Sequence, residues 1–277
     1  MKKSYSIIVA FILLNVVACT SSETSRQDTA SDNAENVTQD IIETLATIVL
    51  RDIELRDSLP NANNTGTLYK NELFCQWMPK SENVQFSVLC DSVNSWICQL
   101  FCDSSCVMKD DISTLANRFS DSNMKNMKEY LAEDEFFSDP NTVLDEPLTQ
   151  EYKVSLLYEN DTLVTMGFSD YEYLYGAHGS YVYVGATFNK QTGHRYDSDL
   201  FDKYDKQKQE ELIKNGLKQY FEVSSDEELF DLLTLDDNKI PFPSNLYVTD
   251  KGIVASYQVY EIGCYAMGMP SFLIPFE

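Results

Sequence analysis

The chain has 277 residues, 43% of them hydrophobic, and a formal net charge of -23 at pH 7. This length and apolar content suffice for one large domain or two small ones with a real core. The acidic excess argues against nucleic-acid binding, which needs clustered lysine and arginine to contact phosphates. An acidic surface can instead attract a cationic partner, or it can serve solubility alone.

The N-terminus has the features of a bacterial lipoprotein signal. Two lysines precede an apolar run from Ile7 to Leu14, and a second short apolar stretch ends at Ala18, directly before Cys19. The run is shorter than the roughly 20 residues that span a hydrocarbon core, and a small residue before cysteine is typical of lipoprotein cleavage. We therefore expect a signal peptide at 1–18 and lipidation of Cys19. The alternative is an ordinary secretory signal with an incidental cysteine.

Composition divides the rest of the chain. Residues 19–40 are almost entirely polar and predict a flexible acylated tether, because they bury too little surface to offset ordering entropy. Prolines at 140 and 147 mark a boundary within 138–149. We expect two subdomains, at 41–149 and 150–277, with an α+β fold of antiparallel sheets packed with helices.

The first subdomain contains two helical patterns. Apolar residues at helical spacing predict a core-facing helix with Asp91 as its N-cap, and a second amphipathic helix from Asp110 to about Leu131. Short apolar or alternating runs at 67–78 and 84–89 predict strands. The apolar positions of the first helix are Val93, Trp96, Ile97, Leu100 and Phe101.

The cysteines fit an exported protein. Six remain after Cys19, and in an oxidising compartment an even number predicts disulfides, with 15 possible connectivities for six cysteines. Buried thiols are the alternative. Cys98, Cys102 and Cys106 recur every four residues, but a metal site is disfavoured because no C-x-x-C pair or neighbouring histidine accompanies them.

The sequence pattern of the second subdomain predicts a sheet with one or two helices. Alternation at 152–158 and a return at 163–168 indicate a hairpin, and the nearly continuous apolar run at 180–188 predicts a central strand. A helix follows around 212–221, and Ser225 to Glu228 resembles a capping box. Runs at 246–248 and 253–260 predict another hairpin, and 272–276 a final strand.

One stretch stands out as a candidate site. Tyr175-Gly176-Ala177-His178-Gly179 places one of the two histidines between glycines, at a break between tyrosine-rich strands. Glycine permits positive φ and close approach, so the turn would present His178 in a fixed direction. The alternative is a tight connection in which the imidazole bonds a backbone carbonyl.

Several short motifs follow one another in the order of a known domain. Residues 151–277 resemble the C-terminal domain shared by RsiV-type anti-sigma factors and PdaC-type peptidoglycan deacetylases (domain of unknown function 3298), and the N-terminal half more weakly resembles its usual partner domain. Two glycines usually precede Ala-His-Gly in that family, and Tyr175 occupies the first of these positions here. The motifs are Tyr175 to Gly179, Phe188-Asn189 through Thr192-Gly193, Asp199-Leu200-Phe201, and Tyr260-Glu261-Ile262-Gly263 with Ala266 and Gly268.

The resemblance implies a binding module. In RsiV-type proteins the domain recognises lysozyme, a cationic enzyme, so the expected partner is a cationic lysozyme-like protein or a peptidoglycan component, with no metal or cofactor. The expected location is the extracytoplasmic side of the cell envelope, at a membrane that the protein reaches through its lipid anchor. The candidate ligand-binding residues are Tyr175, Gly176, His178, Gly179, Tyr260, Glu261 and Tyr265.

The alternative is a hydrolase or transferase acting on wall glycans. His178 would be its acid or base, beside Glu261 or Asp170. We favour binding because the sequence has no G-x-S-x-G or H-E-x-x-H motif, and only two histidines. A catalytic His178 should line a concave pocket with a carboxylate in hydrogen-bond reach, whereas a structural one should be capped by backbone.

The lipid anchor is directly testable. Because Cys19 is the expected acylation point, Cys19→Ala should abolish incorporation of labelled fatty acid and leave the precursor uncleaved. Unchanged labelling of the variant would contradict the lipoprotein interpretation.

Overall fold

The larger of two β-sheets has six strands, and two helices cover one of its faces. The computed structural model describes residues 48–80, 84–101, 111–235 and 239–276, so the signal peptide, Cys19, the tether, Cys102 and Cys106 lie outside the described residues. The strands lie side by side in chain order and every pair is antiparallel except β2 with β3. The α+β class is confirmed. The strands are β1 (Arg51–Pro60), β2 (Thr67–Trp77), β3 (Leu148–Glu159), β4 (Leu163–Tyr173), β5 (Ser180–Asn189) and β6 (Arg195–Tyr196).

The parallel pair follows from the chain path. The helices α1 (Val84–Phe101), α2 (Ile112–Glu133) and α3 (Glu135–Ser138) lie between β2 and β3 and return the chain to the same end of the sheet. Strands from before and after residues 138–149, where the sequence predicts a boundary, therefore belong to one sheet. The division into two subdomains stays a prediction about folding units.

Helix α1 begins earlier than its sequence pattern indicates. Residues 84–89 form its first turns instead of a strand, and Asp91 lies inside the helix instead of capping it. The reason is that Leu89 extends the apolar stripe of Val93, Trp96 and Ile97 by one turn towards the N-terminus. All four are buried in the main core, the apolar cluster between the six-stranded sheet and helices α1 and α2. Helix α2 begins as predicted, because the Asp111 carboxylate accepts a hydrogen bond from Thr114 N at 2.9 Å.

Strand β1 has no counterpart among the predicted strands. It is an edge strand whose side chains are mostly exposed and which directs Ile53 and Leu55 towards the main core. Charged residues are common on edge strands because they discourage pairing with other chains, and they weaken the hydrophobic alternation by which strands are recognised.

A smaller sheet and two helices complete the structure. A separate apolar core lies between them, and the side chain of Phe272 packs so closely on α4 that a Cβ at Gly216 would lie 2.1 Å from its ring. The predicted capping box at Ser225 and Glu228 is confirmed at the start of α5. The elements are α4 (Lys206–Phe221), α5 (Asp226–Leu232), β7 (Asn245–Val248), β8 (Gly252–Ser256) and β9 (Ser271–Pro275), with short 3-10 helices at Ser198–Phe201 and Tyr265–Met267.

Strand β5 is covered on both sides, although it is the fifth of six strands and not central. Ala186 and Phe188 face α1, where Trp96 and Phe188 meet edge to face at 6.1 Å. The alternate residues Gly185 and Thr187 face the small sheet. Asn245 Oδ1 accepts from Gly185 N at 3.1 Å, and Val248 N donates to Thr187 Oγ1 at 2.8 Å. Cover on both sides explains why the apolar run is nearly continuous.

The expected disulfides are not found among the described cysteines. Cys75 on β2 and Cys98 on α1 are buried free thiols, and Cys264 is an exposed one. The Cys90 thiol lies 3.4 Å from the carbonyl oxygen of Pro79. Apolar packing in the main core, and not covalent linkage, accounts for the burial of Cys75, Cys90 and Cys98.

In the described part of the chain, no helix combines the length and the apolar character needed to cross a membrane.

These thiols should differ sharply in reactivity. Burial, with a smaller contribution from Cys98, raises the pKa of Cys75 to about 12, and burial also raises the pKa of Cys98. Because the thiolate is the reactive form, a thiol reagent should modify Cys264 in the folded protein and Cys75 and Cys98 only after unfolding.

Titration of native and denatured protein without reductant measures this difference. Cys264→Ser should remove the fast labelling of the peptide that contains residue 264, as mass spectrometry of the labelled protein would show. If Cys75 and Cys98 react in denatured protein only after a reductant is added, the free-thiol assignment is wrong.

Candidate functional site

Two loops that are far apart in the sequence meet beside β5. The β4–β5 connection, residues 174–179, contacts the loop at 258–268 because Tyr265 donates its hydroxyl hydrogen bond to the carbonyl oxygen of Gly179 at 2.7 Å. The ring of His178 stacks on the ring of Tyr265, with centroids 3.6 Å apart and planes inclined by 13°. The ring centroid of Tyr260 lies 5.8 Å from that of Tyr265, and Tyr260 is 62% exposed. We call His178, Tyr260 and Tyr265 the His178 cluster.

The imidazole of His178 has a defined tautomer. Its Nδ1 lies 3.0 Å from the carbonyl oxygen of Gly179, which can only accept, so Nδ1 carries the hydrogen. In the neutral ring Nε2 is then an acceptor. Because His178 is exposed, this acceptor is available to a ligand.

The two glycines of the loop have different physical reasons, a close approach at Gly179 and a positive φ at Gly176. A Cβ at Gly179 would lie 2.6 Å from Cε2 of Tyr171 and 2.9 Å from the carbonyl oxygen of Glu172, so only glycine allows this approach. Gly176 has open space around it but adopts a φ of +115°, which side-chain-bearing residues rarely adopt.

Two tyrosines also adopt left-handed backbone conformations. Tyr175 has a φ of 75° and Tyr260 a φ of 68°, which costs free energy for a bulky residue. Ring contacts of Tyr175 with Phe136 at 5.2 Å and Phe137 at 6.0 Å offset that cost. Tyr175 therefore packs against α3, whereas His178 packs against Tyr265.

Glu261 shapes its own loop. Its Oε2 accepts hydrogen bonds from Ser244 Oγ at 2.6 Å and from Gln258 N at 2.8 Å. Gln258 in turn pairs with the backbone of Tyr183, donating to its carbonyl at 2.7 Å and accepting from its N–H at 3.2 Å. The carboxylate of Glu261 thus holds the turn that attaches this loop to β5.

Asp170 lies on the other face of the main sheet from Tyr171, since neighbouring residues of a strand alternate between faces. It pairs in register with Tyr152, on the face covered by α2. Burial, followed by the nearby Glu172 charge, raises the pKa of Asp170 to about 6. Because Tyr171 lies beneath Gly179, Asp170 is separated from His178 by the sheet.

The histidine that pairs with a carboxylate is His194, which the sequence motifs do not indicate as a site residue. Its Nε2 lies 2.6 Å from Asp199 Oδ2. Burial tends to raise the pKa of Asp199, but hydrogen bonds from Asp197 N and His194 lower it overall. The available signal was the five-residue spacing of His194 and Asp199 around a short strand.

The chain segment that contains the first of these loops is strongly acidic. Residues 129–189 contain twelve aspartates and glutamates but only one lysine, Lys153, and no arginine. The loop at 258–268 adds Glu261 and no basic residue. The candidate site thus consists of exposed and half-buried aromatic rings on loops of a strongly acidic chain.

The fold and site define an α+β module of acidic composition with an aromatic loop surface. Residues 198–277 match the model of a family described as "Protein of unknown function (DUF3298)". The match contains Tyr260, Glu261 and Tyr265, whereas Tyr175 to Gly179 lie before it. No curated protein matches the chain.

Two crystal structures of DUF3298 family proteins share the fold. One, from Bacteroides fragilis, is 19% identical with a TM-score of 0.65, covering 82% of this chain and 90% of that chain. The other, from Pseudomonas aeruginosa PAO1, is 12% identical with a TM-score of 0.54, covering 83% of this chain and 91% of that chain. At these identities the likeness concerns the fold alone.

The raised pKa of Asp170 predicts a pH-dependent stability. An acid whose pKa is raised by folding binds more protons in the folded state, so stability falls as pH rises from 3.8, the ordinary pKa of an aspartate, to about 6. Asp170→Asn should therefore increase the free energy of unfolding above pH 6 and leave it nearly unchanged near pH 4.

Urea unfolding at the two pH values measures this, with Glu151→Gln, on an exposed residue of β3, as the control. If Asp170→Asn changes the free energy of unfolding equally at both pH values, ionisation of the Asp170 carboxyl does not destabilise the folded state.

Proposed function

We propose that this protein is a non-enzymatic binding module that is lipid-anchored on the extracytoplasmic side of the cell envelope and recognises a cationic, lysozyme-like protein. The observation that carries the proposal is the His178 cluster, with its exposed His178 and Tyr260, on a chain whose segment 129–189 contains twelve acidic residues and one lysine. Aromatic faces and carboxylates together suit lysine and arginine side chains, which bind to both.

The loop geometry supports recognition. The contact between Tyr265 and Gly179 and the turn closed by Glu261 hold both loops before any ligand arrives. A pre-organised surface loses less conformational entropy on binding than a flexible one. The resemblance to RsiV-type domains supports lysozyme as the first partner to test.

The hydrogen bonds favour binding over wall-glycan chemistry. Among the described residues no carboxylate hydrogen-bonds to His178, and its Nδ1 donates to a backbone carbonyl, so the ring lacks the carboxylate that would stabilise an imidazolium during proton transfer. The Glu261 carboxylate is already used by Ser244 and Gln258. Peptidoglycan fragments remain a second ligand to test in the same assay.

The first test is binding of a C-type lysozyme to the mature protein by titration calorimetry. We expect an association that weakens as salt rises, because exposed charges are screened beyond about 8 Å at physiological ionic strength. His178→Ala should weaken binding by about tenfold, as for a contact near the centre of an interface.

The same substitution should barely change the melting temperature. Tyr265 would still donate to the Gly179 carbonyl, so no buried group loses its partner. His194→Ala is the matched control, since that exposed histidine belongs to another segment. The proposal fails if lysozyme does not bind at micromolar concentration, or if His178→Ala acts on melting alone.

A further inference from the structure

A second group of aromatic rings surrounds α3. Phe137 is buried, 5% exposed, and three rings contact it: Tyr130 at 6.0 Å, Phe136 at 5.1 Å and Tyr175 at 6.0 Å. These three are 46%, 44% and 54% exposed. We call Tyr130, Phe136 and Tyr175 the α3 patch. It is a set of exposed rings around a common buried ring, unlike isolated surface hydrophobics, which are ordinary.

Local hydrogen bonds fix the α3 patch. Asp134 Oδ1 accepts from Phe136 N at 2.8 Å and from Phe137 N at 3.4 Å, which caps the short helix. Thr142 donates its hydroxyl to the carbonyl oxygen of Phe136. The left-handed backbone of Tyr175 places its ring against α3. The rings are therefore held in position although solvent reaches them.

Carboxylates border these rings. Residues 129–146 contain seven acidic residues and neither lysine nor arginine. All of them except Asp134 are exposed. Two exposed lysines of α2 precede them, Lys128 and Lys125, and Lys125 approaches Glu129 at 4.0 Å. The acidic residues are Glu129, Glu133, Asp134, Glu135, Asp139, Asp145 and Glu146.

We propose that the α3 patch is a docking surface for a basic amphipathic segment of a partner protein. Apolar side chains of that segment would cover the three rings, and its lysines or arginines would face the surrounding carboxylates. Charge complementarity selects a basic segment, and the exposed rings select an amphipathic one over a purely charged one. The proposal rests on the proposed function in one respect, that the partner is cationic, but it uses different residues.

The test uses the mature protein and two synthetic peptides of equal charge. One is a leucine and lysine amphipathic peptide, and the other is oligolysine. We expect the amphipathic peptide to bind at least tenfold more tightly. Phe136→Ser and Tyr130→Ser should each weaken its binding by about tenfold, and Glu133→Gln with Glu135→Gln should reduce its salt dependence.

Matched controls lie on other helices. Leu232→Ser on α5 removes an apolar side chain that is 40% exposed, and Glu210→Gln on α4 removes an exposed carboxylate. Both should leave peptide binding unchanged. Melting curves of all variants check that the folded state persists, and Phe136→Leu keeps the apolar surface if Phe136→Ser unfolds the protein.

The outcomes separate the two proposals. Peptide binding lost in Phe136→Ser but retained in His178→Ala supports the α3 patch, even if lysozyme does not bind. Lysozyme binding that depends on His178, together with equal affinities for the two peptides or no effect of Phe136→Ser and Tyr130→Ser, overturns the α3 patch and leaves the proposed function intact.

Discussion

The candidate site depends on the attachment of the small sheet to β5. Side-chain amides of Asn245 and Gln258 and the hydroxyl of Thr187 bond to backbone groups that strand pairing leaves unused. Such groups must find partners when they are buried, and here the partners belong to a separate layer of the fold. This attachment brings the loop at 258–268 to the β4–β5 connection, so the His178 cluster forms only in the complete unit.

The close approach of Gly179 to Tyr171 and the left-handed backbone of Tyr175 then determine which side chains of the β4–β5 connection face solvent. Gly179 lets the β4–β5 connection lie directly on Tyr171, and its carbonyl accepts from both Tyr265 and His178. Tyr175 accepts a left-handed conformation and turns its ring to α3. One short loop thus contributes to two aromatic surfaces, and the acidic residues around both favour the same class of partner.

Local patterns predicted much of the secondary structure. The amphipathic stripe of α2, the capping box of α5 and the alternation of β3 all depend on residues close in sequence, and the structure confirms them. The pattern at 84–89 predicts a strand where α1 begins, because a short, largely apolar segment suits a strand as well as a helix. Disulfides were inferred from a cysteine count, which says nothing about distance.

The sequence by itself determined the acidic character, the α+β class and the unusual glycines around His178, because these depend on composition and neighbouring residues. Only the tertiary structure decided that His178 stacks on Tyr265, that Glu261 closes a turn, and that Tyr175 joins α3. Each of these contacts joins segments whose meeting depends on how two sheets pack, and that packing depends on the sum of many weak contacts that no local pattern encodes.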